Sequence, residues 1–311
     1  MKIKIKKICF NHSFIFFLFC NIFSLIFFKV DISIISPLIC LLLILIIGVS
    51  HGSLDHIKGQ KLLRVFDLRN ISIFYFIYLL LAISITVFWV LFPATALIIF
   101  LIVASYHFGK EDTQFLINEN SNIYQLIFLF KGSLIIFAPL FFHFDETMSI
   151  FKLLLIKNET FYSSLAFIEN KKILEIGIIL STLSSIFLFV KNFELKKFTI
   201  FLDYFSIIII NYYFTPLIAF TIYFCFLHSI RHSITLMIEL DDKNLKNGFF
   251  IFFKKALPLT ILTAFLCFIG MYFLNKNYGF DSSILKLIFI GLASLTFPHI
   301  LLEYLLEKNE K

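Results

Sequence analysis

Long apolar stretches of the chain alternate with short segments rich in Lys and Arg. A membrane-spanning helix needs about 20 mostly apolar residues, and the pattern predicts ten such helices. The predicted spans are residues 8–28, 32–50, 71–92, 95–109, 123–142, 173–190, 198–213, 216–238, 256–274 and 282–303. The pattern therefore predicts an all-α, polytopic transmembrane helix bundle of about ten spans, within a range of eight to ten.

Two prolines divide apolar stretches that are too long for one span. Residues 71–106 carry no charge, and we divide them at Pro93, because proline interrupts the helical hydrogen-bond ladder. The stretch 198–240 is divided near Pro216 for the same reason. Residues 145–172 are amphipathic, which predicts a connection in the membrane interface. We interpret 1–311 as a single integral-membrane domain.

The composition excludes a water-soluble globule. Hydrophobic residues make up 60% of the 311 residues and charged residues only 15%, whereas soluble domains carry about 25% charge. Segments rich in Lys and Arg fall on the same side as the lysine-rich N-terminus: 58–69, the loop from 110, 191–197, 243–255 and 308–311. The net charge of +7 therefore indicates a multi-pass protein of the cell membrane with both termini cytoplasmic, and not nucleic-acid binding.

Six of the eight histidines lie near one end of the even-numbered predicted spans. They are His51, His56, His107, His228, His232 and His299. The topology was derived from Lys and Arg alone, yet it places all six at a similar depth in the cytoplasmic half. Ionisable groups inside a membrane usually face the bundle interior or a wet cavity. We therefore expect these side chains to converge.

The histidine spacing predicts a metal site. His228 and His232 are four residues apart and share one helix face, while His51 and His107 would add ligands from two other helices. Neutral imidazoles suit Fe, Cu, Ni or Zn, and the five cysteines form no CxxC pair. Asp55, four residues after His51, could accept the second ring proton of a ligand. A single such histidine is more often a packing residue, so the hypothesis depends on convergence.

Four polar residues elsewhere receive no role in this site. We expect His12 and His143 to be structural or solvated, and Asp203 to form hydrogen bonds within the bundle. Lys131 lies in the middle of a predicted span, and its long side chain is expected to extend to the interface.

Four short motifs carry a family resemblance. They are HGxxDH at 51–56, HFGxxD at 107–112, HSxRH at 228–232 and PH at 298–299. Their order and spacing resemble the Brp/Blh family of membrane β-carotene 15,15′-dioxygenases, over residues 49–304. The chain departs from the usual pattern at Ser50, at Leu227 and at Lys110–Glu111. These departures bear on substrate preference more than on the metal site.

The resemblance implies a non-haem Fe²⁺ enzyme that cleaves β-carotene with O₂ at its central double bond and gives two molecules of all-trans-retinal. The implied iron ligands are His51, His107, His228 and His232. Asp55, His56 and His299 are implied to support these ligands or line the pocket. A retinal-binding opsin is the implied downstream partner, and the oligomeric state stays open.

Two other classes of membrane protein compete with this interpretation. A di-iron desaturase or hydroxylase of lipid or carotenoid needs about eight histidines in HxxxH and HxxHH boxes, but the chain has one HxxxH and no HxxHH. A haem-binding or proton-coupled transporter would use paired histidines to bind haem or relay protons.

Overall fold

The computed structural model describes residues 2–27, 36–117, 121–191 and 193–309, without the side chains of Lys2 and His51. Within those ranges the chain forms α-helices and no strand. The helices are α1 Lys2–Phe27, α2 Pro37–Leu43, α3 Asp55–Val65, α4 Ile71–Leu91, α5 Pro93–Glu111, α6 Asn122–Gly132, α7 Leu134–Phe142, α8 Phe144–Leu153, α9 Glu159–Asn170, α10 Ile173–Val190, α11 Phe198–Tyr213, α12 Pro216–Ile222, α13 Ile230–Leu240, α14 Leu245–Tyr278 and α15 Phe280–Asn309.

Eight helical segments in the described ranges are long and apolar enough to cross a membrane. They are Ile3–Phe27, Ile71–Leu91, Pro93–Glu111, Asn122–Phe142, Ile173–Val190, Pro216–Leu240, Leu245–Tyr278 and Phe280–Asn309. A helix pair bent by 40°, Pro37–Gly48 with Gly52–Val65, would make a ninth. The all-α polytopic bundle and its range of eight to ten spans are confirmed. Of the predicted span 32–50, residues 32–35 lie outside the described residues.

Both proline divisions are confirmed. Helix α4 ends at Leu91, and Pro93 occupies the first turn of α5. Helix α11 ends at Tyr213, and Pro216 begins α12. Proline suits the first turn because its missing N–H would have no helical partner there. The predicted connection at 145–172 contains two short helices, α8 and α9, and no residue of α9 is buried.

The segment Pro216–Leu240 lies at the centre of the bundle. In its most apolar window 78% of residues are buried. By contrast, α4 buries only Ala82 and Trp89, and α14 buries only Gly248, Phe252 and Ala256. Helix α15 contacts both α4 and α14, and α13 contacts α14. Helices α4 and α14 therefore form an outer layer that presents apolar side chains to the lipid.

Two helix segments near the bundle centre are wound more loosely than an α-helix. Residues Ile44–Gly48 and Tyr223–Ser229 form π-helices, and Val49–Leu54 continues the first as a 3₁₀-helix. Short π-helical turns occur frequently at functional sites. The first π-helix ends three residues before His51, and the second contains His228.

Helices α5 and α6 approach each other at a pair of glycines. A Cβ added to Gly109 would collide with the backbone carbonyl of Phe128, and one on Gly132 would collide with the carbonyl of Ser105. Small residues allow this close approach in membrane bundles. Gly109 belongs to the HFGxxD motif, so the packing of α5 against α6 fixes the end of the helix that carries His107.

Candidate metal centre

Four imidazoles from separate helix segments form one continuous cluster. His107 of α5 lies 5.3 Å from His228 and 5.4 Å from His299, measured between ring centroids. His232 of α13 lies 5.9 Å from His299 of α15. All four are buried. The structure therefore brings together three of the four predicted ligands, and the side chain of His51 lies outside the described residues.

Three of these imidazoles are each held by a carboxylate. Nδ1 of His228 donates to Asp112 at 3.2 Å, and Nδ1 of His232 donates to Glu111 at 2.9 Å. An ionised carboxylate only accepts hydrogen bonds, so Nδ1 carries the proton and the lone pair of the neutral ring is on Nε2. This is the arrangement found behind metal-ligating histidines.

The third carboxylate–imidazole pair joins α3 to α15. Both oxygens of Asp55 lie 2.9 Å from Nδ1 of His299, and the hydroxyl of Tyr78 donates to Asp55 at 2.9 Å. We predicted that Asp55 accepts a ring proton from a ligand, with His51 as the donor. In the structure His299 makes that contact, and His51 cannot be assessed. The geometry of His299 matches that of His228 and His232.

Glu303 lies at the edge of the cluster. Its carboxylate accepts a hydrogen bond from Lys58 at 2.7 Å and lies 3.6 Å from Nε2 of His299 and 3.9 Å from Nδ1 of His107. One potential ligand atom from each of His107, His299 and Glu303 lies within 4.8 Å of the others, and the same holds for Glu111, His232 and Glu303. The site can thus offer carboxylate oxygen as well as imidazole nitrogen.

Buried and partly buried charges around the cluster do not balance within the described side chains. Five carboxylates surround it, namely Asp55, Glu111, Asp112, Asp203 and Glu303. Three cations face them, namely Lys58, Lys131 and Arg231. With carboxylates ionised and imidazoles neutral, two positive charges are missing, and uncompensated buried charge is costly. One divalent cation, or protonation of two groups, would balance the site.

Arg231 connects the cluster to the rest of the bundle. Its guanidinium forms two hydrogen bonds with Asp203 at 2.7 and 2.8 Å, donates to the carbonyl of Asp112 at 3.1 Å and donates to Ser13 at 2.6 Å. The planar fork of arginine suits such bidentate pairing. The expected hydrogen bond of Asp203 is therefore confirmed, and Arg231 links α1, α11, α13 and the end of α5.

The other predicted polar residues divide between the site and the scaffold. His56 approaches the carbonyl of Ser53 through Nδ1 at 3.0 Å, and His12 approaches the carbonyl of Phe226 at 2.9 Å. His143 lies 3.5 Å from Glu146. The expectation for Lys131 was wrong, because the side chain is buried and does not reach the interface. Its near neighbour Asp112 attracts it inward.

Sequence reasoning missed the roles of Glu111, Asp112 and Arg231 described above, and those of four further groups. The hydroxyl of Tyr223 donates a hydrogen bond to Asp112 at 2.7 Å. The other three groups are Tyr78, which donates to Asp55, and the pair formed by Lys58 and Glu303. A signal existed for one of them, because Glu303 follows His299 by four residues and therefore shares its helix face. Tyr78 approaches from α4, which carries none of the histidines. Tyr223 and Lys58 lie on the same helical segments as His228 and Asp55, but the sequence does not show that they face Asp112 and Glu303.

An apolar cavity of about 550 Å³ adjoins the cluster. His107, His228 and His299 line its inner end, together with Phe108 and Phe224. Most of the remaining lining consists of aliphatic and aromatic side chains from α4, α14 and α15. Such a site can hold an apolar molecule against a group of ligating imidazoles.

Comparison with known proteins places the chain in a family. The family profile described as beta-carotene 15,15′-dioxygenase matches residues 42–307. A protein named beta-carotene 15,15′-dioxygenase, from uncultured marine bacterium 66A03, is 29% identical over 267 residues, which cover 84% of this chain and 90% of that protein. No solved structure matches. The match confirms the resemblance carried by the four motifs, and the chain belongs to the β-carotene 15,15′-dioxygenase family of enzymes.

Proposed function

We propose that this enzyme cleaves β-carotene at its central 15,15′ double bond with O₂, with the help of one bound Fe²⁺, and gives two molecules of all-trans-retinal. The observation that carries the proposal is the cluster of four contacting imidazoles at the inner end of an apolar cavity. The reaction balances with one O₂ per β-carotene, so it needs no external reductant.

The donor set fits a metal ion of the iron type. Carboxylate partners hold Nδ1 of His228, His232 and His299, which leaves neutral Nε2 atoms as nitrogen donors, and imidazole suits Fe, Cu and Zn. The missing positive charge around the cluster matches a divalent ion. We propose His51, His107, His228 and His232 as ligands, as the family resemblance implies. We add His299 because its Nδ1 is held by a carboxylate, as in His228 and His232. When bound there, Fe²⁺ supplies the ability to activate O₂.

The side chains of the chain itself position the reactants. Asp55, Glu111 and Asp112 fix the rotation and the tautomer of the imidazoles, so ligand geometry is set before the substrate arrives. Phe108 and Phe224 pack against His228, with ring centroids at 4.7 and 5.9 Å, and exclude water from the inner end of the cavity. An apolar polyene held there would present a double bond beside the ligands, which is catalysis by proximity.

One observation favours a second candidate, a carboxylate-bridged pair of metal ions. Glu303 belongs to both potential donor sets, one with His107 and His299 and the other with Glu111 and His232. A membrane di-iron desaturase or hydroxylase would use such a site. Close to two iron atoms per folded chain would favour this candidate, and close to one would favour the dioxygenase. A haem-binding protein would instead show a Soret absorption band.

The wider setting follows from the same proposal. Short Lys- and Arg-rich segments alternate with the spans, so we assign the enzyme to the cytoplasmic membrane with both termini inside the cell. β-Carotene is dissolved in that membrane. Retinal released there would be available to a retinal-binding opsin.

The direct test is expression in cells that accumulate β-carotene, with retinal measured by chromatography. The wild-type enzyme should bleach the cells and produce two retinal molecules per β-carotene consumed, and an iron chelator should stop turnover of the purified enzyme until Fe²⁺ is restored. His228→Ala should lose iron and activity, whereas His143→Ala, remote from the cluster, should keep both. Stable colour with folded, iron-loaded protein would refute the substrate.

A further inference from the structure

The cavity beside the histidine cluster reaches the outer surface of the bundle. Helix α4 contributes Phe74, Tyr75, Tyr78, Leu79 and Ala82 to its wall, and this spacing of three to four residues is one face of a helix. Leu79 is 59% exposed, so the face continues from the buried interior to the surface.

Helix α14 forms the opposite wall in the same way. Leu259, Leu262 and Thr263 line the cavity, again at a spacing of three to four residues, and Leu262 is 50% exposed. Helix α15 closes the back of the cavity with residues that end at His299. The cavity thus has its inner end at the imidazoles and its outer rim between α4 and α14.

The surroundings of this rim are hydrocarbon-like. Helix α4 carries no charged residue from Ile71 to Leu91, and residues 256–274 of α14 carry none either. The outward side chains of both helices are apolar, such as Ile83 at 52% and Ile261 at 58% exposure. An opening at this place connects with the acyl chains of the bilayer, because a charge-free apolar surface lies in lipid.

We propose that the gap between α4 and α14 is a lateral portal through which β-carotene enters the active site directly from the membrane. The inference rests on the proposed function for the identity of the occupant. A long apolar polyene partitions into the bilayer, fits a mostly apolar wall and needs no passage through water. The imidazoles of His107, His228 and His299 line the same cavity, so the bound polyene lies beside them.

Side-chain size on the two walls controls passage. Ala82 on α4 and Thr263 on α14 are small residues on the lining faces. A tryptophan at either position projects into the cavity and takes up space that the polyene would occupy. Ala82→Trp and Thr263→Trp should therefore lower β-carotene binding by about tenfold. Ile83→Trp and Ile261→Trp, which alter the lipid-facing side of the same helices, should change it less than about twofold.

The experiment uses full-length enzyme in lipid nanodiscs that contain β-carotene. Carotenoid retained per chain is measured by absorbance on iron-free protein after transfer to carotenoid-free nanodiscs, and retinal formation is measured on iron-loaded protein. Iron content should be the same in all four variants. Equal binding and turnover in the lining variants and in their controls would overturn the portal.

A second experiment blocks the gap between α4 and α14 in protein that has already folded, so its result does not depend on whether the tryptophan variants fold. Leu79→Cys can be alkylated with a bulky lipid-soluble maleimide in a Cys267→Ser background, since the other four native cysteines are buried. Alkylation should stop β-carotene entry in Leu79→Cys and leave Ile83→Cys active. Wild-type protein that binds β-carotene without cleaving it would refute the proposed function and leave the portal standing. Wild-type cleavage that persists in alkylated Leu79→Cys would refute the portal alone.

Discussion

Asp55→Asn tests whether the carboxylates determine the metal affinity of the site. Asp55 is 4% exposed, and its two oxygens accept hydrogen bonds from Nδ1 of His299 and the hydroxyl of Tyr78. Asparagine keeps the shape but replaces one oxygen with an N–H₂ group. With its amide oxygen towards His299, asparagine still accepts from Nδ1, and its N–H₂ group can donate to the Tyr78 hydroxyl, which both donates and accepts. The hydrogen bond from His299 therefore changes from one with a charged acceptor to one with a neutral acceptor.

The expected magnitude follows from the bonds that change. A hydrogen bond to a charged group contributes about 1.5–3 kcal/mol and a neutral one about 0.5–1.5 kcal/mol. The loss is therefore about 1–2 kcal/mol, which corresponds to about 5- to 30-fold weaker iron binding. Changes to residues behind metal ligands typically weaken affinity by about 10- to 100-fold. Both ranges include a loss of about tenfold.

The assay is competition for Fe²⁺ between the purified enzyme and a chelator, with iron per chain measured by mass spectrometry. Asp67→Asn is the matched control, because Asp67 is exposed at the end of the same helix and has a φ of 57°, a conformation that asparagine tolerates well. The control should bind iron like the wild type. Wild-type iron affinity in folded Asp55→Asn would refute the reasoning, because the Asp55–His299 pair would then have no influence on the metal.

Two further predictions concern the scaffold of the site. Gly109→Ala should lower the thermal stability in detergent by about 1–3 kcal/mol, because the added Cβ collides with the carbonyl of Phe128. Gly291→Ala, which has open space at the Cβ position, should be neutral, and equal effects would contradict the close approach of α5 and α6. Arg231→Met should cost about 3–5 kcal/mol, because it leaves the buried Asp203 carboxylate uncompensated. The double variant with Asp203→Leu should recover most of that loss in a thermal unfolding assay, and a double variant as unstable as the single one would show that the ion pair is not the cause.

The sequence predicted the helix bundle because the length and ends of each helix depend on local features. Pro93 and Pro216 each stand in the first turn of a new helix. The length of each apolar segment follows from the thickness of the bilayer. The convergence of His107, His228 and His232 followed from topology alone, since the positive-inside rule assigns each helix a direction. No contact between helices was needed for these inferences.

The partners of the histidines depended on information that the sequence does not contain. An amphipathic pattern normally shows which face of a helix points to the protein interior. Helix α4 carries no charge and is apolar on all sides, and the lipid and the bundle interior favour the same residue types. The approach of Tyr78 to Asp55 was therefore not predictable. The pairing of Asp55 with His299 links residues 244 positions apart, whereas spacing arguments extend only over one or two helical turns. From the sequence we related Glu111 to substrate preference. In the structure its carboxylate accepts a hydrogen bond from His232.

X-ray absorption spectroscopy of the iron-loaded enzyme tests the central claim most directly. The account predicts about one iron per chain, coordinated by nitrogen and oxygen with the outer-shell scattering of several imidazoles. The imidazole contribution should fall in His228→Ala and stay unchanged in His143→Ala. A spectrum without imidazole scattering, or one dominated by sulfur or a porphyrin, would contradict a histidine-held iron in this bundle.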